Sequence, residues 1–193
     1  GGGTVNCFVV SGTNIFAGTD NNGGVFLSTN NGNNWKAVNN DLTSQYIKAL
    51  AVSGTNLFVG TGSGLFLSTN NGTNWTAFGL TNQSINAIAI SGTNIFAGTW
   101  VEGVFLSTNY GNTWNEVGLM NREVRSFAVS GTNIFAGTYS GGAFLSTNNG
   151  TNWTAINNGL TSQNVYSLAV SGTNIFAGTA GGIYISTNDG NNW

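Results

Sequence analysis

The stretch Ser28-Thr29-Asn30-Asn31-Gly32-Asn33-Asn34-Trp35 occurs five times, in closely similar form, along a chain of 193 residues. Successive copies are 40, 39, 39 and 40 residues apart, and they begin at Ser28, Ser68, Ser107, Ser146 and Ser186. A second string, Ser-Gly-Thr-Asn, recurs at intervals of 42, 38, 39 and 41 residues, beginning at Ser11, Ser53, Ser91, Ser130 and Ser171. Two markers that keep one period through five copies identify an internal repeat.

Each repeat predicts four short strands. Apolar and small residues alternate from Val5 to Val10, and the Ser-Gly-Thr-Asn turn leads into a second strand from Ile15 to Thr19. A Gly-rich loop, a third strand from Val25 to Ser28 and an Asn-x-Gly turn follow, and the fourth strand is predicted to begin at Trp35. Four antiparallel strands in about 40 residues are typical of a propeller blade.

The sequence therefore predicts an all-β fold, a five-bladed β-propeller of four-stranded antiparallel blades. Residues 1–193 are expected to form one domain, with repeats at approximately 4–42, 43–81, 82–120, 121–160 and 161–193. The last copy stops at Trp193, where its fourth strand should start, so the last blade is expected to lack its outer strand. Such a blade has an open edge that favours pairing with another chain.

The composition excludes several classes of protein. Only 5% of the residues are charged and the net charge is −2, so we expect no nucleic-acid partner. No apolar run approaches the roughly 18 residues of a membrane span, so no membrane insertion is expected. The single cysteine, Cys7, excludes a disulfide scaffold, and its place in an apolar strand predicts a small core residue and not a reactive thiol.

The repeated stretch from Ser28 to Trp35 resembles the Asp-box, or bacterial neuraminidase repeat, whose pattern is Ser-x-Asp-x-Gly-x-Thr-Trp and which occurs in sialidase and sortilin-type propellers. Asn30 stands at the Asp position, and only the third copy keeps the Thr before the Trp, at Thr113. The resemblance implies a β-propeller, in which this turn is structural and lies away from the ligand face. It also favours an extracellular or cell-surface location.

The turn also has a physical explanation. An Asn side chain can accept a hydrogen bond from the backbone N–H two residues later, and the Trp buries apolar area beside the turn. Calcium would need several carboxylates, and Asp189 is the only one inside a box. We therefore expect no metal and no cofactor.

Catalysis is not expected, and the chain is predicted not to be an enzyme. The arginine trio of sialidases cannot be assembled from Arg122 and Arg125, and the chain has no His to act as a general base. The least favoured alternative is a glycosidase that uses two carboxylates, for which Glu102 and Glu123 are the candidates.

The repeats differ from one another mainly in the loop after the second strand, in the linker between copies and near the start of the first strand. In an antiparallel blade that loop and the linker lie at the same end, which we call the variable-loop face. We expect five of its residues to cluster where the third and fourth blades meet and to bind a ligand: Trp100, Glu102, Arg122, Arg125 and Tyr139. Aromatic residues beside charges are typical of contact sites for sugars or proteins.

Two functions remain open at this point. The first is a non-catalytic secreted or cell-surface module that binds a glycan or a protein through the variable-loop face. The alternative is a structural subunit of a homopolymeric extracellular assembly or filament, joined through the open edge of the last blade.

Overall fold

The computed structural model describes residues 3–193, and every regular element in that range is a β-strand. The first strands of the five repeats are β1 Val5–Ser11, β5 Ile47–Ser53, β9 Ile85–Ser91, β13 Val124–Ser130 and β17 Val165–Ser171. The second strands are β2 Asn14–Thr19, β6 Asn56–Thr61, β10 Asn94–Thr99, β14 Asn133–Thr138 and β18 Asn174–Thr179. The third strands are β3 Val25–Ser28, β7 Gly64–Ser68, β11 Val104–Ser107, β15 Gly142–Ser146 and β19 Gly182–Ser186. The fourth strands are β4 Lys36–Ala37, β8 Thr76–Ala77, β12 Asn115–Glu116 and β16 Thr154–Ala155.

These strands form five sheets in chain order. Four sheets have four strands each, and the last has three, β17 to β19. The prediction of a five-bladed β-propeller whose last blade lacks its outer strand is therefore confirmed. The fourth strands are only two residues long and begin one residue after the tryptophan where the sequence placed their start.

The chain divides into two compact units, Gly1–Ile90 and Ser91–Trp193. In the first unit, blade 2 packs on blade 1 through a core that includes Phe16, Ile47, Val59 and Trp75. In the second unit, blade 5 packs on blade 4 through a core that includes the side chains of Phe135, Val165, Ile175 and Ala177. In each unit, an apolar face of one sheet is thus covered by the neighbouring sheet.

A glycine in the second strand allows successive blades to approach closely. A Cβ atom added to Gly137 would lie 2.7 Å from Cγ1 of Val165 in the following blade. A Cβ atom added to Gly60 would likewise lie 2.8 Å from Cγ2 of Ile85 in the following blade. The β-branched residue at the start of each following blade thus fills the space that a side chain at the glycine would need.

Three box tryptophans, those of blades 2, 4 and 5, also join consecutive blades, whereas Nε1 of Trp114 in blade 3 is buried and has no hydrogen-bond partner among the described residues. Nε1 of Trp75 donates to the carbonyl of Val38 at 2.7 Å, and its backbone N–H donates to the carbonyl of Asn40 at 3.1 Å. Nε1 of Trp153 donates in the same way to Val117 in the preceding blade, at 3.1 Å. Trp75 is 3% exposed, whereas Trp35 of the first blade is 40% exposed.

The box turn is held by its own side chains. Ser28 Oγ accepts from the N–H of Gly32 at 2.9 Å, and Asn30 Oδ1 accepts from the N–H of Asn34 at 2.9 Å. The expectation that the Asn side chain accepts from the N–H two residues later is wrong, because that oxygen reaches the N–H four residues later. The group that accepts from the N–H two residues later is the Ser hydroxyl, since Asn30 N donates to Ser28 Oγ at 3.4 Å.

Two consecutive positions of this turn have a positive φ in every copy, and the second of them is always Gly; the first is the informative one. Four copies place Asn or Asp there, and the third places Tyr110, with φ of 56°. The left-handed conformation disfavours a bulky L-residue by about 1 kcal/mol relative to Asn, whose short polar side chain tolerates it.

Tyr110→Asn is therefore expected to raise the free energy of unfolding by about 1 kcal/mol, measured by urea titration. The reverse change in another box, Asn149→Tyr, should lower it by a similar amount. A Tyr110→Asn protein no more stable than the original chain would contradict this account.

Candidate functional site

The first strand of a blade carries a β-bulge at its second residue. The register between the first and second strands shifts around Asn6, Lys48, Arg125 and Tyr166. A bulge turns the extra side chain out of the regular alternation of a strand, and bulges are frequent beside functional sites. These four positions, which we call the bulge residues, are among those that vary between repeats.

The loop after the second strand and the linker before the first strand lie at the same end of a blade. In blade 4, Tyr139 N donates to the carbonyl of Glu123 at 2.9 Å, and Gly142 N donates to the carbonyl of Gln163 at 2.8 Å. In blade 1, Thr4 N donates to Asp20 Oδ1 at 2.8 Å. The loop and linker thus share one end, the variable-loop face, as the sequence predicts.

In the second unit, Arg125 lies between two tyrosines. Its guanidinium carbon is 4.8 Å from the ring centroid of Tyr139 and 5.1 Å from that of Tyr166. The two tyrosines are 45% and 44% exposed. The cation over two ring faces holds both rings in place while their remaining surface stays open to solvent.

Glu123 completes this cluster. Its Oε1 lies 3.0 Å from Nε of Arg125, and its side chain is 13% exposed. The Nε–H does not point along this line, so the contact is an ion pair without a hydrogen bond at Nε. We call Glu123, Arg125, Tyr139 and Tyr166 the arginine clamp. The charges of Glu123 and Arg125 cancel, so the clamp can contact a ligand mainly by aromatic stacking and hydrogen bonding.

The bulge residues of the first unit make polar contacts to the following blade. Nζ of Lys48 donates to Ser84 Oγ at 2.8 Å and to Asn86 Oδ1 at 2.9 Å. Asn6 Nδ2 donates to the carbonyl of Ile47 at 2.9 Å. The start of a first strand is therefore a place where polar side chains link adjacent blades.

The structure brings together part of the predicted site. Arg125 and Tyr139 are in contact, and the guanidinium of Arg122 lies 5.0 Å from the ring centroid of Phe144. Trp100 is 50% exposed in the β10–β11 loop, where the backbone N of Glu102 donates to Thr99 Oγ1 at 2.8 Å. Their membership of one binding site with the arginines stays a prediction.

The sequence reasoning left two members of the clamp out of the site. Glu123 is considered from the sequence only as a possible glycosidase carboxylate, and Tyr166 only as one of the residues near the start of a first strand that vary between repeats. Tyr166 is the bulge residue of blade 5, equivalent to Arg125 of blade 4. The signal that could have found it is this equivalence, since neighbouring blades place equivalent residues side by side.

Neither a metal centre nor a membrane-spanning helix is found in the described range. No group of three or more His, Cys, Asp or Glu residues within 3–193 is arranged to hold a metal ion. A search of the same residues for a helix long and apolar enough to cross a membrane found none. Cys7 is partly buried beside the core of the first unit.

The sequence matches a family of propellers. The DUF6242 beta propeller domain matches residues 3–140, which is more than half of the chain. The chain belongs to this family. No curated protein is significantly similar to this DUF6242 propeller in sequence.

Solved structures of similar fold include an ancestral GH74 enzyme, with a TM-score of 0.80 and 28% identity over 91% of this chain and 27% of that one. The extracellular domain of BT4673 from B. thetaiotaomicron has a TM-score of 0.78 and 19% identity over 93% of this chain and 26% of that one. YCF48 bound to D1 peptide has a TM-score of 0.73 and 14% identity over 100% of this chain and 69% of that one. The DUF6242 propeller thus spans about a quarter of the first two chains.

Cys7 provides a test of burial in the first unit. Burial raises the pKa of its thiol from 9.0 to about 12, against a smaller opposing effect of a backbone hydrogen bond with Gly18. The unfolded thiol ionises at lower pH than the folded one, so this thiol is expected to reduce stability as pH rises from 9 towards 12, with no effect below that window. Urea titrations across that pH range should show that the free energy of unfolding falls more steeply with pH for the original chain than for Cys7→Ala. Equal pH dependence in the two proteins would contradict the burial of the thiol.

Proposed function

We propose that this DUF6242 propeller is a non-catalytic binding module, extracellular or at the cell surface, which holds a glycan or a protein ligand on its variable-loop face. The observation that carries the proposal is the arginine clamp, in which Arg125 holds two tyrosine rings that remain nearly half exposed. Rigid aromatic side chains lose little conformational entropy when they bind, so such rings are suited to contact a ligand.

The chemistry of the clamp suits ligands with alternating apolar and polar surface. A tyrosine ring offers an apolar face for the C–H face of a sugar or for an apolar side chain, and its hydroxyl can form a hydrogen bond. Tyr, Trp and Arg are also the residues most enriched at the energetic centres of protein interfaces. Trp100, exposed on the β10–β11 loop, would add a third aromatic surface.

Two of the similar structures agree with these ligand classes. One is a GH74 enzyme, and another, YCF48, has a D1 peptide bound. The likeness to the extracellular domain of BT4673 supports the proposed location. These proteins share the fold with this chain at 28% identity or less and one of them is an enzyme, so their support extends to the broad kind of ligand and not to the absence of catalysis.

The proposal that the module is non-catalytic rests on the carboxylates. A glycosidase of the usual kind needs a protonated carboxyl group opposite a second carboxylate. Glu123, one of the two candidates, forms an ion pair with Arg125 at 3.0 Å and is thus already engaged inside the arginine clamp.

We further propose that the repeated turn is an Asp-box in which Asn replaces Asp, with a structural role. Both side-chain oxygens that could contact a ligand are used inside the turn, since Ser107 Oγ accepts from Gly111 N and Asn109 Oδ1 accepts from Thr113 N. The same pattern recurs around the serines that begin the other boxes.

A second candidate function is that of a subunit in a homopolymeric extracellular assembly. The observation that favours it is the edge strand β19, which has no further strand beside it in its three-stranded sheet within the described residues. Unpaired edges promote strand pairing between chains.

The binding proposal is tested on a glycan array and on a phage-displayed peptide library with the original chain, Trp100→Ala and Tyr139→Ala. The original chain is expected to bind at least one probe, and each substitution should weaken that binding by about tenfold or more, as loss of a central aromatic contact does. Tyr110→Asn, which changes a tyrosine that is 64% exposed in a box turn, is the matched control and should bind as the original chain does. If both alanine variants bind as tightly as the original chain, the binding site does not include Trp100 or Tyr139. If the original chain binds no probe, the proposed function is contradicted.

A further inference from the structure

Arg122 stands at a linker position that holds glutamine in the other linkers between blades. It lies two residues before β13, the first strand of blade 4. The residues two before β5, β9 and β17 are Gln45, Gln83 and Gln163. Three of the four linkers thus carry the same neutral amide, and the linker into blade 4 carries a positive charge in its place. The substitution falls in the blade that holds most of the arginine clamp.

The guanidinium of Arg122 is held by an aromatic ring and by a glycine. Its carbon lies 5.0 Å from the ring centroid of Phe144, a residue of β15 that is 8% exposed. A Cβ atom added to Gly141 would overlap Nη1 of Arg122, so the missing side chain of this glycine leaves room for the guanidinium beside the loop. Because the ring and the loop restrict the guanidinium in the unbound protein, it loses less conformational entropy when a ligand binds.

The hydrogen-bond donors of this guanidinium are not used inside the chain. Within residues 3–193, Arg122 forms neither an ion pair nor a hydrogen bond, whereas Arg125 is paired with Glu123. The side chain of Arg122 is also half-buried, so part of its hydration is already lost. A guanidinium has five N–H donors in a planar fork, and this fork matches the two oxygens of a carboxylate. A carboxylate would therefore supply the acceptors that the chain itself does not.

This free guanidinium lies beside an aromatic residue of the clamp. Tyr139 and Gly141 belong to the same loop, between β14 and β15, and their Cα atoms are at most about 7 Å apart. The loop is fixed between them, because Ser140 N donates to Asn164 Oδ1 in the next linker at 2.9 Å. A short segment of ligand can therefore contact Arg122 with an anionic group and Tyr139 with an apolar one.

The polar groups of this region favour a peptide over a sugar. Two of its acceptors are already engaged, since Glu123 Oε1 lies 3.0 Å from Nε of Arg125 and Asn164 Oδ1 accepts from Ser140 N. Sugar hydroxyl groups donate as well as accept, so even an acidic sugar needs free acceptors around its carboxylate. An acidic side chain or the C-terminal carboxylate of a peptide accepts only, which suits a site whose unused group is a donor.

We propose that Arg122 binds a carboxylate of a peptide or protein ligand, whose neighbouring apolar group lies on Tyr139. The carboxylate belongs to an aspartate or glutamate side chain or to the C-terminus of the ligand. This inference rests on the proposed binding function of the variable-loop face, and it names an acidic protein segment as the partner. The charges of Glu123 and Arg125 offset each other. Arg122 therefore supplies the charge that selects the ligand.

The first test is an array of short synthetic peptides of varied sequence, printed once with a free C-terminal carboxylate and once with an amidated C-terminus. The original chain is expected to bind peptides that carry a carboxylate next to an apolar residue. A peptide that still binds after amidation uses an acidic side chain, and a peptide that is lost on amidation uses its C-terminus. Replacing the carboxylate by its amide should weaken binding by about tenfold or more.

The second test combines that peptide pair with Arg122→Gln, which restores the residue of the other three linkers and is therefore compatible with the fold. The acidic peptide should bind Arg122→Gln about tenfold or more weakly than it binds the original chain. The amide peptide should bind the two proteins equally, because the same interaction cannot be removed twice. Lys36→Gln, which removes an exposed charge from the outer strand of blade 1, is the matched control and should bind the acidic peptide as the original chain does.

The outcomes separate this inference from the proposed function. If the bound probes are neutral or basic peptides, or glycans alone, the inference is overturned and the binding function stands. A folded Arg122→Gln protein that binds the acidic peptide unchanged would also overturn it. Should circular dichroism show that this variant is unfolded, the acidic and amide peptides are compared on the original chain, and equal binding of the two overturns the inference. A chain that binds neither peptide nor glycan would contradict both proposals.

Discussion

In blades 2, 4 and 5 a hydrogen bond from the box tryptophan to a carbonyl of the preceding blade links the repeats, whereas the buried Nε1 of Trp114 in blade 3 has no hydrogen-bond partner within residues 3–193. Trp75, Trp153 and Trp193 donate from Nε1 at 2.7, 3.1 and 2.6 Å to a carbonyl just past the short fourth strand of the blade before. A fourth strand of two residues leaves that carbonyl without a ladder partner, and an unpaired carbonyl in a packed region is costly. The indole supplies both the missing donor and a large apolar surface. One residue therefore ends the turn and joins two blades.

In the first strand of a blade, a residue that packs on the preceding blade is followed directly by a residue of the variable-loop face. Its first residue, such as Val124, packs against a glycine of the preceding blade. Its second residue, such as Arg125, sits in the bulge beside the variable loops. The bulge allows a fixed packing position and a variable polar position to be neighbours in sequence, since it turns the second side chain out of the sheet's alternation. A substitution at the bulge position therefore need not disturb the packing between adjacent blades.

Most of the fold could be predicted from the sequence because the same pattern of turns and strands recurs in five repeats. The box, its serine and its tryptophan are local in sequence, and local hydrogen bonds fix their geometry. The arginine clamp was less accessible, because Arg125 and Tyr166 are 41 residues apart in sequence and meet only through the packing of adjacent blades.

Hydrogen exchange of the indole N–H groups, followed by NMR in dilute solution, tests the central role of the tryptophans most directly. Slow exchange is expected for Trp75, Trp153 and Trp193, whose indole N–H groups are bonded to the preceding blade, and fast exchange for Trp35, which is 40% exposed. Exchange at similar rates in all four would contradict it, because the blades would then be held together without the tryptophan hydrogen bonds.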